Sequence, residues 1–277
     1  MSVMYVEETQ GARRRFLALG LGVIGTLYLV AFILPMLYMV AVSFGETRLG
    51  TDQLDFEGPL AAYERFWGSE YYRGIMFDSL RLAFSAIVGT IALGLPLAYT
   101  ATRGPRWYRI VIIVAVVNPL FVSTIVRSFG LDLFLKAINL ADSFGAVLIG
   151  SVQILLPFMV LPLMAGFRAV DPLTIHSAKT LGSGRFRIAV QIVLPTLAPS
   201  LLAGSVLVFI LSMNIFSIPL ILGRPEDPTM ALVVFHSALA HANFTFAAGV
   251  ALILLALALV VIFLQGRLVR GAVRGVV

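Results

Sequence analysis

The 277-residue chain contains no cysteine. Disulfides, thiol catalysis and cysteine-held metal are thereby excluded together. Charge is scarce too, at 12% of positions, too little to coat a soluble fold of this length. The three histidines, His176, His236 and His241, have no carboxylates at metal-site spacing and no H-E-x-x-H occurs, so no metal site is expected. A G-x-x-x-x-G-K-[ST] loop is missing as well, so the chain is not expected to bind ATP by itself. Ser183 stands between Gly182 and Gly184, but no strand precedes it and no acid–histidine pair accompanies it, so a nucleophile elbow finds no support. The chain does not read as an enzyme.

Apolar surface is abundant instead. Hydrophobic residues fill 60% of positions and the mean hydropathy is +0.99, which marks an integral membrane protein. Uncharged runs long enough to cross a hydrocarbon core, about 20 residues, occur at 16–44, 82–102, 110–126, 143–167, about 197–222 and 242–265. The expected fold is therefore all-α, a polytopic bundle of about six transmembrane helices. Its expected divisions are an N-terminal segment 1–15, a first span 16–44, an external segment 45–78, a five-helix core 79–268 containing a polar loop 168–195, and a tail 269–277. The first run follows Arg13, Arg14 and Arg15 but is about twice a signal-peptide core and lacks a cleavage site, so it reads as a retained helix.

The net charge of +6 is spread over several loops rather than gathered in one patch, which argues against a nucleic-acid partner. Most of the 20 basic residues, including Arg103, Arg168, Lys179, Arg185, Arg187 and Arg267, fall on one side of the spans. Most of the 14 acids, Asp132 among them, fall on the other. Lys and Arg are retained in cytoplasmic loops, so both termini and the loop 168–195 are expected inside. Tyr63, Phe66, Trp67, Tyr71 and Tyr72 in the external segment read as an interfacial aromatic belt, or as a docking surface. Gly89 and Gly94 read as close helix packing. Prolines such as Pro96, Pro157, Pro162 and Pro199 are expected to kink the spans.

A sparse polar set lies at membrane depth: Asn118, Ser123, Arg127, Gln153, Ser212, Asn214 and Ser217. Such groups face a bundle interior or a solute path. No Asp or Glu is expected within a span, which argues against a proton-coupled carrier. A stand-alone secondary transporter or channel is nonetheless the alternative reading of a polytopic chain.

The polar interruption HSAKTLGSGRFRIAVQIVLP, 176–195, resembles the cytoplasmic signature of permease subunits of bacterial ABC importers: E-A-A, three residues, G, nine residues, I-x-L-P. His176, Ser177 and Ala178 hold the E-A-A position, Gly182 the glycine, and Ile192, Val193, Leu194 and Pro195 the I-x-L-P. The spacing is read as two short helices joined at Gly182, with Pro195 ending the segment. NPLFVSTIVRSFGLDLFL (118–135), ILLPFMVLPL (154–163), LAPSLLAG (197–204) and FSIPLILG (216–223) extend the likeness to the spermidine/putrescine (PotB-like) permeases. The resemblance implies a type I importer permease with the MetI-like fold, in the bacterial inner membrane. It implies a translocation pathway for a small solute: a polyamine such as spermidine or putrescine, or a related small amine, opine or phosphonate. The implied partners are a second, PotC-like permease, two copies of a cytoplasmic ATPase that binds ATP and Mg in place of any cofactor here, and a periplasmic binding protein.

By the same resemblance, His176, Ser177, Ala178, Lys179, Gly182, Arg185, Ile192, Leu194 and Pro195 are the ATPase-coupling residues. Asn118, Ser123, Arg127, Gln153, Asn214 and Ser217 are the candidates for lining the pathway. His176 departs from the family, which has a glutamate there.

Overall fold

In the computed structural model the described residues are Gly22, 25–44, 60–224 and 226–274, with side chains described as far as Arg267. The expectations for 1–15, for 45–59, for 275–277 and for the first residues of the first span lie outside them. Among the described residues every regular element is helical. They are α1 (Gly25–Ser43), α2 (Ala61–Gly68), α3 (Glu70–Arg103), α4 (Arg106–Val117), α5 (Thr124–Ala137), α6 (Phe144–Ala169), α7 (Pro172–Thr180), α8 (Arg185–Asn214), α9 (Ser217–Leu222), α10 (Met230–Ala240) and α11 (Phe244–Arg274). A single 3-10 turn, Asn118–Phe121, follows α4. Five of these helices (α1, α3, α6, α8 and α11) are long and apolar enough to cross a membrane, and the α4–α5 pair makes a sixth if counted as one broken span.

Several expected boundaries move. α3 begins at Glu70, inside the stretch 45–78 read as an external segment, and 70–78 keeps apolar residues on one face: Ile75 and Met76 are buried while Phe77 and Asp78 point outward. The run 110–126 is not one straight helix; it bends by 111° between Phe121 and Thr124. Pro119 accounts for the break, since it removes a donor and its ring crowds the preceding turn. The run 197–222 ends as a helix at Asn214, and α9 restarts at Ser217, with Pro219 in the restart. At the C-terminal end, α11 continues to Arg274, so 269–274 is helical.

The core lies between α3, α6 and α8. Leu155, Met159 and Leu163 of α6 are fully buried against Ala83, Ala86 and Ala98 of α3 and Val208 and Phe209 of α8. Small residues let the backbones close up. A Cβ on Gly89 would stand 2.7 Å from Val152 Cγ2, one on Gly94 3.1 Å from Met159 Cγ, and one on Gly204 2.7 Å from Met159 Sδ. Gly166 meets Leu197 and Ser200 at 2.8 and 2.6 Å in the same way. Lipid offers no hydrophobic drive for helix association, so such close van der Waals contact is what holds the spans together.

The aromatic residues between α1 and α3 behave differently from a belt. Phe66 is 1% exposed, with Trp67 edge-on and Tyr72 stacked against it. Tyr72 in turn meets Phe246 of α11. Tyr63 donates to Ser43 Oγ at 3.0 Å and packs on Phe44. They form a core that fixes α2 on α11, and only Trp67 and Tyr71 remain largely exposed.

Replacing Gly89 with leucine is expected to cost about 1–3 kcal/mol by overpacking α3 against α6. Gly74, also on α3, has open space around its Cβ position, and Gly74→Ala is expected to hold or raise stability. Thermal unfolding of both variants in detergent separates packing from helix propensity.

Candidate functional site: the segment 168–195 and the broken helices

The segment 168–195 is built from strong local signals. Asp171 caps α7, its Oδ1 accepting from the Leu173 N–H at 3.0 Å, and Pro172 occupies the first helical position. Both are N-terminal choices with a physical reason: the carboxylate satisfies an orphan donor and proline has none to satisfy. The helix ends in two nested bonds, Ser183 N–H to Ala178 O and Gly182 N–H to Lys179 O, both at 3.0 Å. Gly182 sits at φ +81°. That is a Schellman closure, in which the residue after the cap must be left-handed, a conformation only glycine adopts without strain. The spacing from Ala178 to Gly182 is thus the geometry of a helix stop. α7 contains no buried residue.

The expectation of two short helices ending at Pro195 needs correction. Arg185 opens a helix that runs unbroken to Asn214, with Pro195 inside it. The turn before the proline, Ala189–Val193, is π-helical, and Leu194 N–H bonds to Ala189 O, five residues back. The wider turn takes up the crowding that the Pro195 ring would otherwise cause in the preceding turn.

Of the residues expected to couple, His176, Ser177, Lys179, Gly182, Arg185, Leu194 and Pro195 are exposed, and Ala178 and Ile192 half-buried. His176 Nδ1 lies 2.8 Å from Pro172 O. A carbonyl only accepts, so Nδ1 carries the proton in this contact. Large apolar side chains crown the basic turn: Leu173 is 73%, Leu181 86% and Phe186 82% exposed. The signature did not single these out, although their place beside Gly182 and Arg185 was visible.

The polar positions gather at the two breaks. Asn118 and Ser123 are exposed at either end of the 3-10 turn, and Arg127 Nη1 donates to Pro119 O at 2.7 Å, across the bend. Asn214 closes α8, its amide donating to Ile210 O at 2.7 Å, and Ser217 opens α9. α9 packs on α5, so the second break lies on an element neighbouring the first. Gln153 is exposed on the middle of α6 and joins neither group. Ser212 is buried.

Three residues escaped the sequence reading. Asp132, placed in a loop, lies on α5 in the second half of the broken span, 6% exposed and paired with Lys136 at 2.6 Å; an acid does therefore occur within a span. Arg103, counted only as loop charge, donates to Phe167 O at 3.0 Å and Val170 O at 2.6 Å. Ser79 accepts the Met230 N–H at 2.9 Å. The last two bonds join residues more than sixty positions apart, and nothing local in the sequence reports them.

Residues 86–274 match the family model described as binding-protein-dependent transport system inner membrane component. The chain belongs to this family. It is an inner-membrane, multi-pass permease subunit of an ABC importer and is not an enzyme. The permease is 27% identical over 258 residues to the spermidine/putrescine transport system permease protein PotB of Haemophilus influenzae, covering 87% of this chain and 90% of the relative. It is 26% identical over 253 residues to the putative 2-aminoethylphosphonate transport system permease protein PhnU of Salmonella typhimurium, covering 83% and 88%. Among solved structures it superposes on a chain of a bacterial alginate ABC transporter with TM-score 0.68 at 16% identity, covering 93% of this permease and 95% of that chain. A chain of the MetNI methionine ABC transporter gives 0.62 at 17%, covering 72% and 94%. These superpositions fix the MetI-like fold. Nothing in the similarities favours a stand-alone transporter or channel.

Gly182→Val is expected to weaken function without unfolding the permease. No atom lies within 4 Å of the added Cβ, so the cost is confined to backbone strain of about 1–2 kcal/mol at the end of α7. A small loss of thermal stability with a much larger loss of ATP-dependent uptake is the expected pair of measurements.

Proposed function

We propose that this permease forms, with a second related permease, the path by which a small solute bearing a primary ammonium group enters the cell. Two ATPase copies drive the pair and a periplasmic binding protein delivers the solute. The observation that carries the ATPase assignment is the segment 171–188: a capped helix and a Schellman turn with no buried side chain on α7, crowned by Leu173, Leu181 and Phe186 and flanked by Lys179, Arg185 and Arg187. An exposed apolar crown in a basic frame fits an apolar cleft with acidic edges. ATP and Mg belong to the ATPase in this reading. The segment then lies in the cytoplasm, and both termini with it, in keeping with the Lys/Arg bias.

His176, Ser177, Ala178, Lys179, Gly182, Arg185, Ile192, Leu194 and Pro195 belong to this coupling unit. His176 stands where the family places a carboxylate and its Nδ1 is held by Pro172 O, so the charged contact a glutamate would make with the ATPase does not carry over. ATP closure of the ATPases draws the two coupling segments together and turns the paired permeases outward; hydrolysis resets them. The solute class rests on the named relatives: spermidine, putrescine and 2-aminoethylphosphonate all carry a primary amine. Asn118, Ser123, Gln153 and Asn214, which are exposed, and Arg127 and Ser217, which are half-buried, line the path, because polar groups at membrane depth otherwise meet lipid.

Copurification of this permease with an ATPase from native membranes is the direct test, and a permease that moves solute alone would overturn the assignment. Lys179→Glu combined with Gly182→Asp is expected to abolish uptake while ATP hydrolysis persists; undiminished uptake would refute the coupling role. Asn118→Leu with Asn214→Leu is expected to change the apparent KM for solute, and unchanged kinetics would reduce both to packing residues. Competition of uptake by unlabelled putrescine, spermidine and 2-aminoethylphosphonate reads the solute class.

A further inference from the structure

α7 has no buried residue, so its firmest attachments to the bundle are at its two ends. The end towards α8 is continuous helix from Arg185. The other end is the stretch Phe167–Asp171, where α6 finishes with unsatisfied carbonyls. Arg103, the last residue of α3, fills that role by donating to both Phe167 O and Val170 O. Among the described residues these are the only side-chain hydrogen bonds from a distant element that reach 167–184; those of Asp171, Thr174, His176 and Thr180 are local.

The opposite end of α3 is clamped as well. Ser79 Oγ donates to Ile75 O at 2.8 Å and accepts the N–H of Met230, the first residue of α10, at 2.9 Å in a fully buried setting. Between the two clamps α3 is welded to α6 by the Gly89–Val152 and Gly94–Met159 contacts. An α-helix of 34 residues is about 50 Å long, enough to cross the membrane and reach beyond it.

We propose that α3, which runs unbroken through Pro96 and is held to α6 beside it at Gly94, is a rod transmitting movement of the coupling segment to α10 across the membrane. Arg103 is its inner positioning residue and Ser79 its outer one. The two carbonyls matter more than the charge, so Lys, with one ammonium in place of a planar fork, replaces Arg103 incompletely. The coupling role of 171–188 is taken from the proposed function above; the rod itself is a property of this chain.

The test uses the absence of cysteine. Spin labels at Leu173→Cys and Phe77→Cys, both exposed positions on α7 and near the outer end of α3, report the distance between coupling segment and rod in the detergent-solubilised full chain. A single narrow distance distribution is expected in the labelled parent. Arg103→Gln should broaden or shift it, and Arg103→Lys should do so less. In the assembled transporter, solute moved per ATP hydrolysed should fall at least about tenfold for Arg103→Gln, on the scale of two lost charge-assisted bonds. Ser79→Ala should lower the same ratio, and Ser79→Thr, which keeps the hydroxyl, should restore it. An unchanged distribution in Arg103→Gln, or unchanged transport per ATP in both Arg103→Gln and Ser79→Ala, would overturn the rod. The label measurement needs no ATPase, so a failure of the permease to bind one would count against the proposed function and not against this inference.

Discussion

Everything in this permease depends on how closely α3, α6 and α8 approach one another. In lipid, helices gain nothing from hiding apolar side chains, because the solvent is equally apolar. What remains is dispersion at short range, and it requires small residues where backbones meet. Gly89, Gly94, Gly166 and Gly204 are those residues, each occupying a place where a Cβ would press on a neighbour. Met159 sits between Gly94 and Gly204 and thereby ties the three helices at one level. A triple packed in this way has little freedom to deform, so displacement of one member carries the others.

Around that centre the chain breaks at two places. Non-helical backbone at membrane depth is tolerated only where protein or water satisfies it. The bend after Phe121 and the gap at Ile215–Phe216 are such places, and Arg127 answers the first by donating to Pro119 O. Two π-helical turns, Ala189–Val193 and His236–Ala240, loosen α8 and α10 without interrupting them. Asn118, Ser123 and Asn214 lie exposed at the breaks, whereas buried Ser79 and Thr90 bond to carbonyls of their own helix.

The end of the molecule bearing α7 follows a different logic. α7 is held by its caps and not by packing: Asp171 and Pro172 start it and Gly182 stops it. Such a helix keeps its shape while most of its surface stays exposed. Arg103 supplies the attachment that packing does not, and it does so at the junction where α3, α4, α6 and α7 begin or end.

Hydropathy alone determined the all-α membrane class and the approximate spans, because about 20 apolar residues must cross the hydrocarbon whatever their neighbours are. The polar interruption at 176–195 was legible as a break between apolar runs, and its E-A-A, G and I-x-L-P spacing carried the resemblance; the helix stop at Gly182 came from the structure. Tertiary structure decided the rest. It broke 110–126 at Pro119, carried α8 through Pro195 on a π turn, turned the Phe66 and Tyr72 aromatics into a core, and buried Asp132 beside Lys136. It also joined Arg103 to Val170 and Ser79 to Met230. Those outcomes depend on which distant surfaces meet, and a periodic apolar pattern records that a face is greasy without recording what lies against it.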